Sequence, residues 1–282
     1  YSTWLEDFYV TVEFVPGKKS GIFRITFPEN AEKNILLKIV NEGEWKVMTA
    51  NSVSGVEIFS GMKAFAYGRF NADIASDPGI QEGLPKGKSI SLQSGNNTVE
   101  FKYSISFINA DQAEKNFSEI SDRSFEELKE SAKEAWEEEL NQIQVKGGTE
   151  AQKRTFYTAL YRCYERMVDI TEEGRYYSNY DGKVHQTDRI FYADDWIWDT
   201  YLAHHPLRAI LDPEMEADMM QSYVSMYEQS GWLPTFPVLW GDNPCMNGFH
   251  STITILDNYR KGIRGFDTGK AYEGMRKNSL SA

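Results

Sequence analysis

The first part of the chain alternates between apolar and polar residues, a pattern that predicts β-strands. The clearest run is residues 99–107, where every second side chain is apolar, as in a strand with one buried face. Looser versions of the pattern occur at residues 10–14, 22–27, 35–40 and 64–70. Turn sequences separate the runs, among them Pro16-Gly17, Pro28-Glu29-Asn30, Asp77-Pro78-Gly79 and Gly95-Asn96-Asn97. Since no helical pattern intervenes, we predict an antiparallel β-sandwich over residues 1–118.

Beyond residue 118 the apolar positions recur every three or four residues, which is typical of helices. The first helical stretch begins with a possible capping box, Ser124 with Glu127, and ends at Gly147-Gly148. Its other faces are dense in Glu and Lys. We therefore interpret residues 119–148 as a linker helix.

The remaining residues, 149–282, carry helical patterns joined by long loops. Helix-capping sequences open three of the helices, at Thr149, Asp212 and Asp267. A hairpin is possible between Tyr176 and Val184. A helical domain with loops this long usually needs more helices to bury its outer faces, so we expect this domain to be incomplete at its C-terminal end.

Charge and composition exclude several classes of function. The 282 residues include 30 Lys and Arg against 42 Asp and Glu, a net charge of −12 that argues against nucleic acid or an anionic membrane surface as partner. No run reaches the ~18 apolar residues of a membrane-spanning helix. The chain begins at Tyr1 rather than Met, so either a leader has been removed or the chain starts inside a longer protein.

Cysteine and histidine give little support to a metal site. Two cysteines, Cys163 and Cys245, exclude a disulfide-rich scaffold and a four-cysteine zinc site, and leave open one bridge or two buried thiols. The four histidines form no zinc-hydrolase spacing, and each is expected to be satisfied or solvated. We assign no metal ligand in this chain.

Aromatic residues are concentrated where chemistry is expected. Four of the seven Trp lie between residues 196 and 240. If residues 195–200 are helical, Asp195 and Asp199 share a face of the helix beside Trp196 and Trp198. Carboxylates next to indole rings are typical of sugar-binding sites. The alternative is structural: Asp194 and Asp195 cap a helix that the two Trp side chains anchor in the core.

A second cluster follows at residues 228–243. It contains Trp232 and Trp240 together with two prolines and two glycines, as in a shaped loop that lines a pocket. The alternative is an aromatic loop that plugs the end of a helix.

A series of motifs in this half resembles the first part of the catalytic domain of glycoside hydrolase family 92, the calcium-dependent exo-acting α-mannosidases. The motifs, in order, are residues 155–161, 174–176, 181–185, 198–201, 205–207, 226–229, 231–234, Cys245-Met246, Gly248, His250 and residues 259–267. Residues 1–148 resemble the later part of the family's N-terminal β-sandwich and its linker helix.

The resemblance implies a β-sandwich, incomplete at its N-terminus, followed by the first part of an (α/α)6 barrel. It also implies calcium-dependent hydrolysis with inversion, by a Glu acid and an Asp base that are expected beyond Ala282, so that no catalytic residue is assigned in this chain. Trp198 and Asp199 match the family's pocket for terminal mannose. Asp195, Trp232 and His250 complete the candidate substrate-binding residues.

The leading hypothesis is a segment of a secreted or periplasmic enzyme that removes terminal α-linked mannose from mannosides or N-glycans. The rest of the same polypeptide is expected to complete the barrel, and the isolated chain is expected to be nearly inactive. Two alternatives stay open. One is another (α/α)6-barrel glycosidase or lyase that uses Asp195 and Asp199 as acid and base, and the other is a non-catalytic carbohydrate-binding protein.

Overall fold

The chain folds into two compact units, Tyr1–Glu138 and Glu139–Ala282. In this computed structural model, the described residues are 1–76, 86–243, 245 and 248–281. The turn predicted at Asp77-Pro78-Gly79 and Met246 of the family motifs lie outside them.

The first unit is built mainly from antiparallel strands. Its described strands are β1 (Ser2–Leu5), β2 (Val10–Pro16), β3 (Ser20–Thr26), β4 (Lys33–Lys38), β5 (Glu42–Val47), β6 (Ser52–Phe59), β7 (Met62–Phe70), β8 (Asp73–Ser76), β9 (Gly87–Gln93) and β10 (Thr98–Ser106). One sheet has the order β1-β2-β3-β10-β7-β6-β5 and the other the order β4-β9-β8. The five predicted strands coincide with β2, β3, β4, β7 and β10 to within two residues at either end.

The two sheets bury one shared apolar core. Phe70 and Phe101 of the larger sheet stack with their ring centroids 4.5 Å apart. Ile90 and Leu92 of the smaller sheet belong to the same buried cluster. Two antiparallel sheets with a common core form a β-sandwich, as the alternating pattern predicts.

Helices cover the opposite face of the larger sheet. They are α1 (Ala110–Asn116) and α2 (Phe125–Leu140), and the first turn of α2 packs Phe125 and Leu128 against a cluster that includes Ile22. The predicted capping box is present, because Glu127 N–H donates to Ser124 Oγ at 3.2 Å and Ser124 N–H donates to the Glu127 carboxylate at 2.8 Å. The beginning of α2 is thereby fixed on the sandwich.

The sandwich is tightly packed around Gly68 of β7. A Cβ atom at this position would lie 2.4 Å from Cζ of the buried Phe101 ring. We expect Gly68→Ala to lower the free energy of unfolding by about 1–3 kcal/mol, because the ring has to move within a packed core. The measurement is urea denaturation. Gly95→Ala is the control, since a Cβ at Gly95 meets no atom within 4 Å, and equal losses from the two changes would contradict the prediction.

The second unit consists of helices and short strand pairs. Its described helices are α3 (Glu150–Arg162), α4 (Ile197–Thr200), α5 (His204–Leu211), α6 (Pro213–Ser230), α7 (His250–Arg260) and α8 (Thr268–Leu280). Its strands are β11 (Val168–Asp169), β12 (Arg175–Ser178), β13 (Lys183–Gln186), β14 (Tyr192–Ala193), β15 (Pro237–Val238) and β16 (Gly241–Asp242). The pairs are β11 with β14, β12 with β13, and β15 with β16, so the predicted hairpin after Tyr176 is confirmed.

Helix α6 is the buried centre of this unit and contacts both α5 and α8. Its Met219, Met220 and Val224 side chains are fully buried. Asp212 caps it by accepting the Met215 N–H at 2.8 Å, and Gly231 ends it at φ 83°, in the left-handed region that favours glycine. The caps predicted for α3 and α8 are also confirmed. Among the described residues, no helix is both long and apolar enough to cross a membrane.

Candidate functional site

Asp195 lies at the centre of a buried polar network. Its side chain has no exposed surface, and its Oδ2 atom is 2.9 Å from Nε2 of His205. Thr200 Oγ1 donates to the other carboxylate oxygen at 2.9 Å, and the Tyr223 hydroxyl donates to Oδ2. A buried carboxylate requires such donors, because burial removes its hydration.

The network continues through His205 to two further helices. Nδ1 of His205 is 2.8 Å from Oε1 of Glu216, and the Asn258 amide donates to the same oxygen at 2.6 Å. Thr200 belongs to α4, His205 to α5, Glu216 to α6 and Asn258 to α7. The network therefore fixes four helices relative to one another.

The two neighbouring histidines carry different charges. Burial disfavours a charged imidazole at His205, but the carboxylates of Glu216 and Asp195 outweigh it and raise the pKa of His205 to about 10. Burial opposes the ionisation of Asp195. The charge of the His205 cation, with hydrogen bonds from His205, Tyr223 and Thr200, nevertheless lowers the pKa of Asp195. At His204, burial and then the Arg208 cation lower the pKa to about 4. At neutral pH His205 is an imidazolium and His204 is neutral.

A second buried cation, Arg208, lies beside this network on α5. Its guanidinium donates to the carbonyl of Cys163 at 2.8 Å and to the carbonyl of Arg166. Burial lowers its pKa, although the carboxylates of Glu216 and Asp195 act in the opposite direction. Two buried carboxylates are thus matched by two cations, which limits the cost of burying them.

The predicted pairing of Asp195 with Asp199 on one helix face is wrong. The helix begins only at Ile197, because Asp194 has a left-handed backbone at φ 62° and Asp195 N–H donates to the Pro237 carbonyl at 2.7 Å. The Asp195 carboxylate points into the buried network, whereas Asp199 is exposed. Asp195 was a candidate for binding sugar, but its carboxylate is inaccessible to a ligand. It instead holds the surrounding helices through the buried network.

His250 contacts both Trp198 and Tyr201, and together with Asp199, which follows Trp198 in α4, we call them the Trp198 cluster. The ring centroid of His250 is 5.7 Å from that of Trp198 and 4.8 Å from that of Tyr201. Trp198 is 51% exposed, and Asp199 follows it in the same helical turn. Trp198 and Asp199 are thus exposed at successive positions of α4, and the half-buried His250 packs edge-on against Trp198.

The structural alternative for this segment does not hold. Neither Asp194 nor Asp195 caps α4. The N-cap residue is Trp196, and no side chain there accepts a hydrogen bond from the first turn of the helix. Trp196 is 43% exposed, with the Arg166 guanidinium 4.5 Å from its ring centroid. Neither Trp196 nor Trp198 is a core anchor.

Trp232 lies in a cleft that does not include the Trp198 cluster. It follows the Gly231 cap of α6, and the Lys277 ammonium of α8 lies 4.6 Å from its ring centroid. The described residues that line this cleft include none of the Trp198 cluster.

The described residues do not offer a metal site of the usual kind. They contain no group of three or more His, Cys, Asp or Glu side chains that could hold a metal ion. Both cysteines, Cys163 and Cys245, are free thiols.

Sequence reasoning missed the buried network. Glu216, Met220 and Tyr223 stand at helical spacing on the buried face of α6, and all three are fully buried. A carboxylate on an otherwise apolar helical stripe requires a buried partner. The sequence pattern could therefore have predicted that Glu216 has a buried partner. It does not identify His205 as that partner.

Comparisons with known proteins identify the family of this chain. A sequence model of the glycosyl hydrolase family 92 catalytic domain matches residues 112–282, which is well over half of the chain. No curated protein matches the chain.

Three solved structures resemble the chain over nearly its whole length. One is a family GH92 α-mannosidase from Bacteroides thetaiotaomicron, 23% identical, with a TM-score of 0.89 and coverage of 100% of this chain and 42% of that one. The same α-mannosidase in complex with mannoimidazole is 24% identical, with a TM-score of 0.89 and coverage of 99% and 41%. A family GH92 inverting mannosidase from the same organism is 25% identical, with a TM-score of 0.86 and coverage of 98% and 40%.

The chain thus spans about two fifths of the length of each of these proteins. The fold class predicted from the sequence, a β-sandwich followed by a linker helix and the helices of a barrel domain, is confirmed. The match to the family model extends from α1 through the whole helical unit. This chain belongs to glycosyl hydrolase family 92.

Proposed function

We propose that this chain supplies part of the sugar pocket of a glycoside hydrolase that removes terminal α-linked mannose from mannosides or N-glycans. The observation that carries the proposal is the exposed Trp198 cluster in a chain of family 92. Two of the similar structures are of an α-mannosidase, one of them with mannoimidazole bound, and a third is of an inverting mannosidase.

Each member of the Trp198 cluster has a role that suits a pyranose. The indole of Trp198 packs against the apolar face of the sugar ring. The Asp199 carboxylate accepts hydrogen bonds from sugar hydroxyls, and such bonds to a charged group are stronger than neutral ones. His250 is held against Trp198 and Tyr201 and offers a ring nitrogen at the edge of the pocket.

The buried network makes this pocket rigid. Thr200 ends the helical turn that carries Trp198 and Asp199, and its hydroxyl is bonded to Asp195. Asn258 lies on the helix that His250 begins, and its amide is bonded to Glu216. Because His205 joins Asp195 to Glu216, the two sides of the pocket are held by one chain of hydrogen bonds.

We assign neither the acid nor the base of hydrolysis to this chain. Inversion requires two carboxyl groups about 6.5–9.5 Å apart on opposite sides of the scissile bond. Asp195 is buried and cannot reach a sugar, so it cannot form such a pair with Asp199. We propose that the acid, the base and the calcium ligands lie outside residues 1–282, and that the enzyme is secreted or periplasmic.

The test is proton NMR of an α-linked manno-oligosaccharide incubated with the full-length protein and calcium. We expect β-mannose to appear first, because inversion sets the configuration of the released sugar before mutarotation mixes the anomers. A chelator is expected to stop the release, and the 282 residues alone are expected to give none.

Three outcomes would contradict parts of this proposal. If α-mannose appears first, the reaction proceeds with retention. If residues 1–282 alone release mannose, the acid and base lie within them. Saturable binding without release by the full-length protein would favour the non-catalytic carbohydrate-binding alternative.

A further inference from the structure

The helical unit contains a second cleft, of about 310 Å³, around the exposed face of Trp232. Trp232 is 44% exposed. Its other lining residues include Tyr180, Thr235, Asp242 and Asn278. A volume near 300 Å³ lies at the lower end of the range for small-molecule sites.

The polar walls of this cleft are held in fixed positions. Oδ1 of Asp242 accepts the backbone N–H groups of Thr235 at 2.9 Å and Phe236 at 2.7 Å. The Asn278 side chain bonds both backbone groups of Leu233, at 3.3 Å and 3.2 Å. Side chains that are already ordered lose little conformational entropy when they bind a ligand.

Tyr180 contributes one wall of the cleft. The hydroxyl of Tyr180 is buried and has no hydrogen-bond partner among the described residues. Burial, with a smaller effect from Asp242, raises the pKa of this phenol well above its usual value, so it stays protonated. The buried hydroxyl is out of reach of a ligand in the cleft.

The charges of the cleft select a neutral ligand. Lys277 lies over one face of Trp232, where the aromatic ring already offsets its charge. Asp242 and Lys277 carry opposite charges, so the cleft has no net charge that would favour an anion or a cation. A ligand with an apolar face for the indole and hydroxyl groups for Asp242 and Asn278 suits these walls, and a pyranose has both features.

We propose that the Trp232 cleft is a second carbohydrate-binding subsite, which takes one pyranose unit of a neutral glycan. It depends on the proposed function only for the choice of mannose as the sugar. It shares no described lining residue with the Trp198 cluster, so it binds sugar whether or not the Trp198 cluster is occupied.

The test is fluorine NMR of the full-length protein labelled with 5-fluorotryptophan. Each resonance is assigned by a Trp→Phe substitution, and the protein is titrated with methyl α-mannoside, α-linked mannobiose and α-linked mannotriose. We expect a saturable shift of the Trp232 resonance that persists in the Trp198→Ala variant. Trp4, which is 54% exposed in the β-sandwich, is the control and is expected to stay unchanged.

Asp242→Asn tests the polar wall while it keeps the shape of the side chain. We expect it to weaken the Trp232 titration about tenfold, the loss of one hydrogen bond to a charged group. If the Trp232 resonance is unmoved by all three sugars, or moves no more than that of Trp4, the subsite does not exist, even if mannose release is normal. Absent mannose release with an intact Trp232 shift would overturn the proposed function and leave the subsite standing.

Discussion

Replacing His205 by alanine is expected to lower the free energy of unfolding of the helical unit by about 3–5 kcal/mol. The imidazolium lies between the carboxylates of Asp195 and Glu216, at 2.9 Å and 2.8 Å. Without this imidazolium, two buried negative charges remain near the Arg208 cation. The hydrogen bonds that join Asp195 to Glu216 are lost as well. The measurement is urea denaturation followed by circular dichroism.

The pH dependence of stability distinguishes this electrostatic effect from a simple loss of packing. The pKa of His205 is raised from 6.5 to about 10 by folding, so its contribution is complete below pH 6.5 and is lost as the pH rises through about 10. The stability difference between the wild type and His205→Ala should therefore shrink between these values. A difference that stays constant over this range would show that His205 is not charged in the folded protein.

A matched control is His185→Ala. His185 also contacts a carboxylate, that of Asp181 at 3.0 Å, but its side chain is only partly buried, so a loss of less than about 1 kcal/mol is expected. Equal losses from the two substitutions would contradict the assignment of His205 to a buried charge network.

Most of the fold could be predicted because it follows from local patterns. Alternation located β10, and the capping residues Thr149, Asp212 and Asp267 located three helix starts. Strands β1, β5, β6, β8 and β9 were missed; β5 is largely exposed, and a glycine, Gly55, interrupts the pattern of β6. Propensity and periodicity describe a strand only when one of its faces is buried along its length.

The candidate site was only partly predictable, because burial within one short segment changes from residue to residue. Trp198, Asp199 and His250 were identified; Trp198 and His250 are in contact, and Asp199 is exposed next to Trp198 in the chain. Asp195 was placed on the same face, since the sequence does not reveal that Asp194 adopts a left-handed backbone and delays the helix to Ile197. The charge of His205 likewise depends on Glu216, which only the packing of α6 against α5 brings to it.

Asp199→Asn is expected to reduce kcat/KM of the full-length protein on an α-mannoside about a hundredfold. The change removes the charge from an exposed acceptor that, in the proposed pocket, binds sugar hydroxyls, and a hydrogen bond to a charged group contributes about 1.5–3 kcal/mol. Because Asp199 is exposed, we expect the free energy of unfolding to change by less than about 0.5 kcal/mol. The measurements are initial rates at several substrate concentrations and urea denaturation of the same samples.

Asp257→Asn is the control for this substitution, because Asp257 is an exposed carboxylate of α7 whose partner in the structure is Lys261. It should leave kcat/KM within about twofold of the wild-type value, because Asp257 lies outside the proposed pocket. It should also change the free energy of unfolding by at most about 1 kcal/mol, the usual contribution of a surface ion pair. Trp198→Ala should act in the same direction as Asp199→Asn through loss of stacking. Unchanged kcat/KM in Asp199→Asn, or a loss matched by Asp257→Asn, would remove the Trp198 cluster from the substrate pocket. A loss of activity that is accompanied by unfolding would instead mean that Asp199 supports the helix and not the sugar.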